Sequence, residues 1–276
     1  MSVYPEPNNK AASNANAAHY NALEPDEAGA PHLVHQSLKE KYAVLIDDAY
    51  HFARGASRVP EILDLGAGDG FATLSFLKLG AKVTAVDISD KQLAMLSEKA
   101  FAPANLIVVC QDVLEALTSM RHRDVHFDVV VASSFLHHIP DYCQLLADAI
   151  GVLRPHGAFL SFQDPLRYST LGVVNRTFSA TAYFSIRLLR PDFIGGFGRF
   201  LRRSIGSYSN VSADNVEYHI VRDGVDQDLI REHFEARGFK CEIVRCFSTP
   251  STLWQKIGES FGFTNTFAVV AKRELG

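Results

Sequence analysis

Apolar residues along the chain fall into two alternating patterns, which are short continuous runs and segments with helical spacing. The continuous runs have the length of buried strands, and residues 127–133 form a near-continuous one. The other segments repeat apolar residues at three- and four-residue intervals, as amphipathic helices do. This alternation predicts an α/β fold with a mostly parallel sheet. The predicted strands are residues 61–65, 81–86, 106–109, 127–133, 158–162, 240–247 and 265–272.

The first predicted strand ends in a glycine-rich turn, residues 61–70 (EILDLGAGDG), and a helical pattern follows directly. Glycine lets the backbone turn sharply and lets a ligand approach closely, because it has no Cβ. The following helix presents free N–H groups at the same place. Asp64 lies two residues before the first glycine, where a carboxylate suits an ammonium group better than a pyrophosphate. The turn therefore predicts a binding edge for a nucleotide-like ligand, and a structural turn without a ligand is the alternative.

Two further acids follow the second and third predicted strands. Asp87 comes about 20 residues after the glycine turn, which is the position of an acid that binds a ribose diol in nucleotide-binding α/β folds. Asp112 follows the third strand. Acids at the ends of three successive strands are hard to explain as solvated loop charge. Together they favour a nucleoside ligand.

These residues carry a resemblance to a known family. The run from Asp64 to Gly70 resembles the first motif, E/D-x-G-x-G-x-G, of the class I S-adenosylmethionine (SAM) dependent methyltransferases. The resemblance implies SAM as the cofactor, S-adenosylhomocysteine (SAH) as the product, and contact between Asp112 and the adenine amino group. Tyr20 is similar to a tyrosine that closes over the cofactor in many small-molecule methyltransferases, although an aromatic anchor is the alternative. The cofactor-binding residues that the resemblance implies are Tyr20, Asp64, Gly66, Ala67, Gly68, Gly70, Asp87, Ile88, Asp112, Val113 and Ser133.

The resemblance also implies the architecture, a Rossmann-like seven-stranded, mostly parallel sheet with helices on both faces and an antiparallel last strand. Residues 152–165 (VLRPHGAFLSFQDP) resemble the family's late helix–turn–strand motif, with His156 in place of the usual second glycine. From the residues that follow this motif we predict an inserted helical lid. The predicted parts are a flexible N-terminal arm (1–30), a SAM-binding core (31–164), a helical substrate lid (165–220) and the C-terminal part of the core (221–276).

Candidate catalytic groups follow the fourth and fifth strands. A histidine pair, His137 and His138, comes after the fourth strand, as it does in the family. A neutral imidazole near the methyl group can take a proton from an attacking hydroxyl or ammonium, and we predict that role for His137. Asp164, which closes the fifth strand, is the second catalytic candidate, and His138 is predicted to bind substrate. The alternative for either histidine is a loop residue whose ring is satisfied by a backbone carbonyl.

Residues 165–220 exceed the short link that the minimal fold needs at this point. They interleave aromatic residues with arginines. One interpretation is a clamp for an anionic substrate, because guanidinium pairs well with carboxylate and phosphate. A second is peripheral contact with a membrane that holds a lipid-linked substrate. A third is a helical cap with a solvated basic face. If the insertion does bind substrate, the predicted binding residues are Arg167 and Tyr183.

Composition narrows the range of partners. The net charge of the 276-residue chain is -4, which gives no case for nucleic-acid binding by bulk electrostatics. The four cysteines are scattered without His/Cys metal-site spacing, so we expect no metal and free thiols in a reducing cytoplasm. We find no signal-peptide pattern and no apolar run long enough to span a bilayer. These features predict a cytoplasmic enzyme with a small-molecule substrate.

The sequence therefore predicts a SAM-dependent methyltransferase whose favoured acceptor is a hydroxyl of a sugar, polyketide or lipid-linked intermediate. The run after the fourth strand, residues 133–136, has no N-P-P-Y-like sequence, which argues against amino-methylation of nucleic acid or glutamine. N-methylation of a small molecule and SAM binding without transferase activity remain alternatives. An NAD(P) oxidoreductase is disfavoured by the glycine spacing, by Asp64 and by the lack of a Tyr-x-x-x-Lys pair.

Overall fold

The computed structural model describes residues 8–22, 34–54, 58–187, 216, 218–220 and 222–274. Its centre is a seven-stranded sheet with the order β3-β2-β1-β4-β5-β7-β6. The first five strands pair in parallel, and β7 lies antiparallel between β5 and β6. The predicted α/β fold with an antiparallel last strand is therefore confirmed. The strands are β1 (Glu61–Leu65), β2 (Lys82–Asp87), β3 (Leu106–Cys110), β4 (Phe127–Ser133), β5 (Leu153–Pro165), β6 (Lys240–Cys246) and β7 (Thr266–Lys272).

Helices cover both faces of this sheet, because each parallel connection needs a crossover. One apolar layer joins α2 and α3 to one face, and a second joins α5, α6 and α8 to the other. Strand β4 is buried along almost its whole length, as its continuous apolar run predicts. The helices are α1 (Asn9–Ala22), α2 (Gln36–Arg54), α3 (Phe71–Lys78), α4 (Asp90–Lys99), α5 (Val113–His122), α6 (Tyr142–Gly151), α7 (Val173–Arg187), α8 (Gln227–Glu235) and α9 (Thr252–Ser260).

The N-terminal arm differs from its prediction. We expected residues 1–30 to be flexible, but α1 is a helix whose residues Ala12, Ala15 and Asn16 are buried against the rest of the protein. The small alanine side chains let the helix approach closely, and they supply too little apolar area to mark an amphipathic pattern in the sequence. Tertiary contact, not the helix's own pattern, therefore holds this segment in place.

Other elements depart from the predicted boundaries. Strand β5 begins at Leu153, so the Arg154–Gly157 run that we expected to be a turn belongs to the strand. Helix α5 was not predicted. In the insertion, α7 is helical as expected, and its Phe178 ring packs against Phe247, Trp254 and Phe263. Residues 188–215, which make up half of the predicted lid, lie outside the described part of the chain. No helix among the described residues is long and apolar enough to cross a bilayer.

A buried carboxylate ties three elements together at the amino edge of the sheet. Asp128 in β4 is 1% exposed and accepts hydrogen bonds from Arg58, from Arg154 Nη1 at 2.9 Å and from the backbone N–H of Glu61 at 2.8 Å. Arg154 also donates to the Glu61 carboxylate at 2.5 Å. The network holds the start of β1 against β4 and β5 on the side of the sheet opposite the glycine turn.

We predict that Asp128→Asn lowers the free energy of unfolding by about 1–3 kcal/mol, because two guanidinium groups lose the anion that they bind. Urea denaturation would measure the change. Asp124→Asn is the matched control, since the Asp124 side chain is 95% exposed. Equal stability of the two variants would contradict a structural role for the Asp128 network.

Candidate functional site

The three glycines of the turn after β1 have different surroundings. All three have positive φ, at 68° for Gly66, 53° for Gly68 and 100° for Gly70, which favours glycine. A Cβ on Gly66 would collide with the ring of Phe135, and one on Gly70 would collide with Leu96. A Cβ on Gly68 would meet nothing within 4 Å. The middle glycine is therefore the one that leaves room for a ligand, whereas the outer two serve close packing.

The acid at the end of β2 holds this turn in place. Asp87 Oδ2 accepts the backbone N–H of Gly68 at 2.8 Å, and its Oδ1 accepts that of Ser89 at 2.8 Å. Burial raises the pKa of the Asp87 carboxyl, and the backbone N–H donors oppose that rise by stabilising the carboxylate. Both oxygens keep a second lone pair, so the carboxylate can also accept from a ligand hydroxyl.

The acid within β1 is placed deeper than we expected. Asp64 is fully buried, and its Oδ2 accepts a hydrogen bond from Thr73 Oγ1 of α3 at 2.6 Å. No described residue donates to its Oδ1. Burial raises the pKa of the Asp64 carboxyl to about 7, although the Thr73 hydrogen bond lowers it in part. Asp64 thus lies buried beside the turn, and one of its oxygens has no described partner. Its contact with an ammonium group stays a prediction.

A cavity lies at the carboxyl edge of the sheet and is covered on one side by α1. Of the residues predicted to bind a cofactor, all but Asp64 and Gly70 line it. The sequence prediction missed Ser13 and Asn16 of α1, together with Phe135. The spacing of residues 12, 13, 16 and 20 along one helix face was the available signal. The lining residues are Ser13, Asn16, Tyr20, Gly66–Asp69, Phe71, Ala72, Asp87, Ile88, Gln92, Asp112, Val113, Ser133–Phe135, His138 and Ile139.

Helix α1 is bound to the cavity wall by side-chain hydrogen bonds. Ser13 Oγ donates to Asp112 Oδ2 at 2.7 Å, while Asp112 Oδ1 caps the N-terminus of α5. Near the other end of α1, Tyr20 OH lies 3.1 Å from His138 Nε2, and the Ser89 hydroxyl donates to Asn21 Oδ1 at 2.5 Å. The helix therefore connects the ends of β2, β3 and β4 across the cavity.

His138 lines the cavity, and its two ring nitrogens have different partners. Its Nδ1 contacts the backbone carbonyl of Val216, which only accepts, so Nδ1 carries the proton when the ring is neutral. Burial and the neighbouring His137 ring lower the pKa of His138 well below its usual value. The ring is therefore neutral near pH 7, and Nε2 holds a lone pair beside the Tyr20 hydroxyl.

His137 lies behind His138, and the described lining of the cavity does not include it. Its Nδ1 is 2.8 Å from Asp164 Oδ1, and its backbone N–H donates to the same oxygen at 3.1 Å. The two histidine rings have centroids 4.0 Å apart. The structure thus brings the two predicted catalytic residues together as a buried pair, and it places His138 between that pair and the cavity.

A bulge in β5 creates the contact between Asp164 and His137. The register of β5 against β7 shifts between Phe162 and Asp164, and the intervening Gln163 has φ 70°. A one-residue bulge reverses which face the following side chains take. Gln163 is held by the Tyr42 hydroxyl at 2.8 Å and by Ser248 at 2.6 Å. Strained backbone of this kind is concentrated at functional sites.

The two predicted substrate-binding residues of the insertion lie elsewhere. Arg167 forms ion pairs with Asp223, at 3.1 Å, and with Asp226, at 2.5 Å. Its guanidinium thus holds the segment before α8 and is not among the described cavity residues. Tyr183 is 41% exposed on α7 and contacts Phe184. Two carboxylates of the chain thus pair with the Arg167 guanidinium, and the predicted contacts of Arg167 and Tyr183 with a substrate stay predictions.

The cavity fits the donor groups of SAM. The ammonium, the ribose hydroxyls and the adenine amino group of SAM all donate hydrogen bonds. The polar residues that line the cavity offer several acceptors. The carboxylates of Asp87 and Asp112 lie at adjacent strand ends, and Asn16 adds a buried amide oxygen without a described partner. Gly68 provides the space at the turn.

Sequence comparisons match the segment that carries the glycine turn to a methyltransferase family. Residues 63–161 match a family model described as a methyltransferase domain. A ubiquinone biosynthesis O-methyltransferase from Coxiella burnetii (strain RSA 331 / Henzerling II) is 26% identical over 178 residues, which cover 60% of this chain and 70% of that protein. Another, from Pasteurella multocida (strain Pm70), is 31% identical over 129 residues, or 44% of this chain and 49% of the relative.

Structural comparisons extend the likeness over almost the whole chain. Magnesium protoporphyrin IX methyltransferase from Synechocystis PCC 6803, with bound SAH, has a TM-score of 0.56 at 14% identity and covers 95% of this chain and 100% of its own. Geranyl diphosphate C-methyltransferase from Streptomyces coelicolor A3(2) has a TM-score of 0.57 at 10% identity, with 98% and 100% covered. At these identities the likeness shows the fold alone. Residues 63–161 therefore form a methyltransferase domain, and the fold around them is that of the class I SAM-dependent methyltransferases.

Proposed function

We propose that this enzyme methylates a hydroxyl group of a small molecule and that His138 accepts the proton of that hydroxyl. The observation that carries the proposal is a neutral histidine that lines the cavity and whose unprotonated Nε2 contacts a second lining residue, Tyr20. An alcohol is a poor nucleophile until a base removes its proton, and a positioned imidazole is the commonest such base. The names of the relatives, which are O-methyltransferases, support oxygen as the acceptor atom.

The surrounding residues would prepare His138 for this role. The carbonyl of Val216 selects the tautomer in which Nε2 carries no proton. Below it, the His137–Asp164 pair packs against the imidazole and holds the turn that carries both histidines. Tyr20 shares the Nε2 lone pair through its hydroxyl. An acceptor hydroxyl would take the place of the Tyr20 hydroxyl, or would pass its proton through it.

The cofactor would lie along the cavity beneath α1. When bound, SAM supplies an electrophilic methyl group. Asp87 would accept hydrogen bonds from the ribose hydroxyls. Gly68 would let the cofactor come close to the backbone of the turn, and α1 would exclude water. Holding the acceptor oxygen in line with the methyl group accounts for much of the rate in such a reaction.

Several finer predictions remain proposals. The acceptor belongs to the sugars, polyketides or lipid-linked intermediates, all of which present hydroxyl groups. The predicted roles of His137 as base and of Asp164 in catalysis stay predictions, although the geometry favours His138 as the group that meets the acceptor. The same holds for Tyr183 as a substrate-binding residue. Anionic substrate capture and membrane contact concern an insertion about half of which lies outside the described residues, and both stay predictions.

The direct test is incubation with methyl-labelled SAM and a panel of hydroxyl-bearing and amine-bearing small molecules. Mass spectrometry would detect SAH and the methylated product together. Transfer to hydroxyls supports the proposal, whereas transfer to amines alone would identify an N-methyltransferase. SAM binding without product from any member of the panel would favour a binding protein.

We predict that Asp87→Ala weakens SAM binding by about 1.5–3 kcal/mol, because a charged acceptor of hydrogen bonds is lost. Isothermal titration calorimetry with SAM and SAH would measure this. Asp90→Ala, which removes an exposed carboxylate at the start of α4, is the matched control. Unchanged affinity in the Asp87 variant would remove this residue from the cofactor site.

We predict that His138→Ala lowers turnover by about 10²–10⁴-fold while SAH affinity is retained, since a general base contributes in that range. Turnover assays and calorimetry would separate the two effects, with the exposed His122→Ala as control. In His137→Ala the base remains, so we expect a smaller loss of turnover. A large loss in His137→Ala together with full turnover in His138→Ala would assign the proton transfer to His137 instead.

The pH dependence of turnover provides an independent check. Protonation of His138 would remove the base, and its pKa lies well below the usual 6.5. At saturating SAM and acceptor, turnover should therefore stay level as the pH falls to 6.5 and should decline only below it. A decline centred at or above pH 6.5 would contradict His138 as the base.

A further inference from the structure

Asn16 of α1 has a buried acceptor that nothing in the described protein uses. The residue is 8% exposed and lines the cavity. Its Nδ2 donates to the Ala12 carbonyl at 2.9 Å, which sets the orientation of the side-chain amide. No described residue donates to its Oδ1, which is buried. Such an atom costs about 1–3 kcal/mol when it stays unpaired, so a buried oxygen of this kind points to a ligand donor.

The neighbours of Asn16 indicate which part of the ligand supplies that donor. Ser13 lies one helical turn before Asn16, so the two side chains share a face of α1. Ser13 binds Asp112 Oδ2, and Asp112 Oδ1 receives two backbone N–H groups of α5. Each Asp112 oxygen thus already accepts a hydrogen bond within the chain. Asn16 Oδ1 is the neighbouring buried acceptor to which no described residue donates.

We infer that Asn16 accepts a hydrogen bond from the 6-amino group of the cofactor's adenine. This assignment rests on the proposed placement of SAM in the cavity, with adenine at the end of β3 beside Asp112. It gives α1 a binding role in addition to covering the cavity. The helix then contributes a recognition residue, and the adenine amino group satisfies the acceptor that folding leaves unpaired.

The test is a thermodynamic cycle that compares binding affinities when the Asn16 side chain, the 6-amino group of the ligand, or both are removed. The full chain and its Asn16→Ala variant would be titrated calorimetrically with SAH, with the SAH analogue that lacks the 6-amino group, and with 2′-deoxy SAH. We expect the variant to bind SAH about three- to tenfold more weakly than the wild type, the range of one neutral hydrogen bond. It should bind the analogue without the amino group as well as the wild type does.

Asn14→Ala is the matched control, because Asn14 is exposed on the same helix and the substitution changes helix propensity equally. Equal SAH affinity of wild type and Asn16→Ala would overturn the inference. So would an equal loss for all three ligands, which would indicate a structural effect of the substitution. A loss that vanishes only with 2′-deoxy SAH would reassign the donor to the ribose and would also overturn it. If SAH bound none of the proteins, the failure would lie in the proposed cofactor site.

Discussion

The hydrogen bond between the Asp87 carboxylate and the Gly68 N–H is the interaction on which the cofactor site depends. It joins the turn after β1 to the end of the neighbouring strand, and the N–H groups of Gly66 and Ala67 reinforce it by donating to the Val86 carbonyl. Only a residue without a Cβ adopts the Gly68 conformation easily and leaves the space in front of it open. One contact thus fixes both the shape of the turn and the position of the carboxylate.

The cavity is closed by a helix that contributes little apolar area of its own. Helix α1 is held instead by hydrogen bonds to the ends of three strands and by close packing of its alanines. Such a helix is stable only against its partner surface, because short isolated helices are marginal in water. Two of the residues that bind it, Asp112 and His138, also line the cavity.

Burial decides the protonation of the polar groups around the site. It keeps His138 neutral and raises the pKa of Asp64 to about 7, because a low-dielectric surrounding disfavours the charged form in both cases. The same effect makes unpaired acceptors costly, and Asn16 carries such an oxygen among the described residues that line the cavity. A site that binds a ligand rich in donors is expected to carry such acceptors.

The sequence by itself determined the α/β fold, the glycine turn and the strand-end acids. These features follow from local pattern, because strand and helix periods and the absence of a Cβ are properties of short segments. Tertiary structure alone decided that residues 9–22 form a helix over the cavity and that Arg167 is neutralised by two aspartates about 60 residues away. It also decided, through the bulge at Gln163, which histidine contacts Asp164 and which lines the cavity. Those outcomes depend on contacts between distant segments, and no pattern within one segment records them.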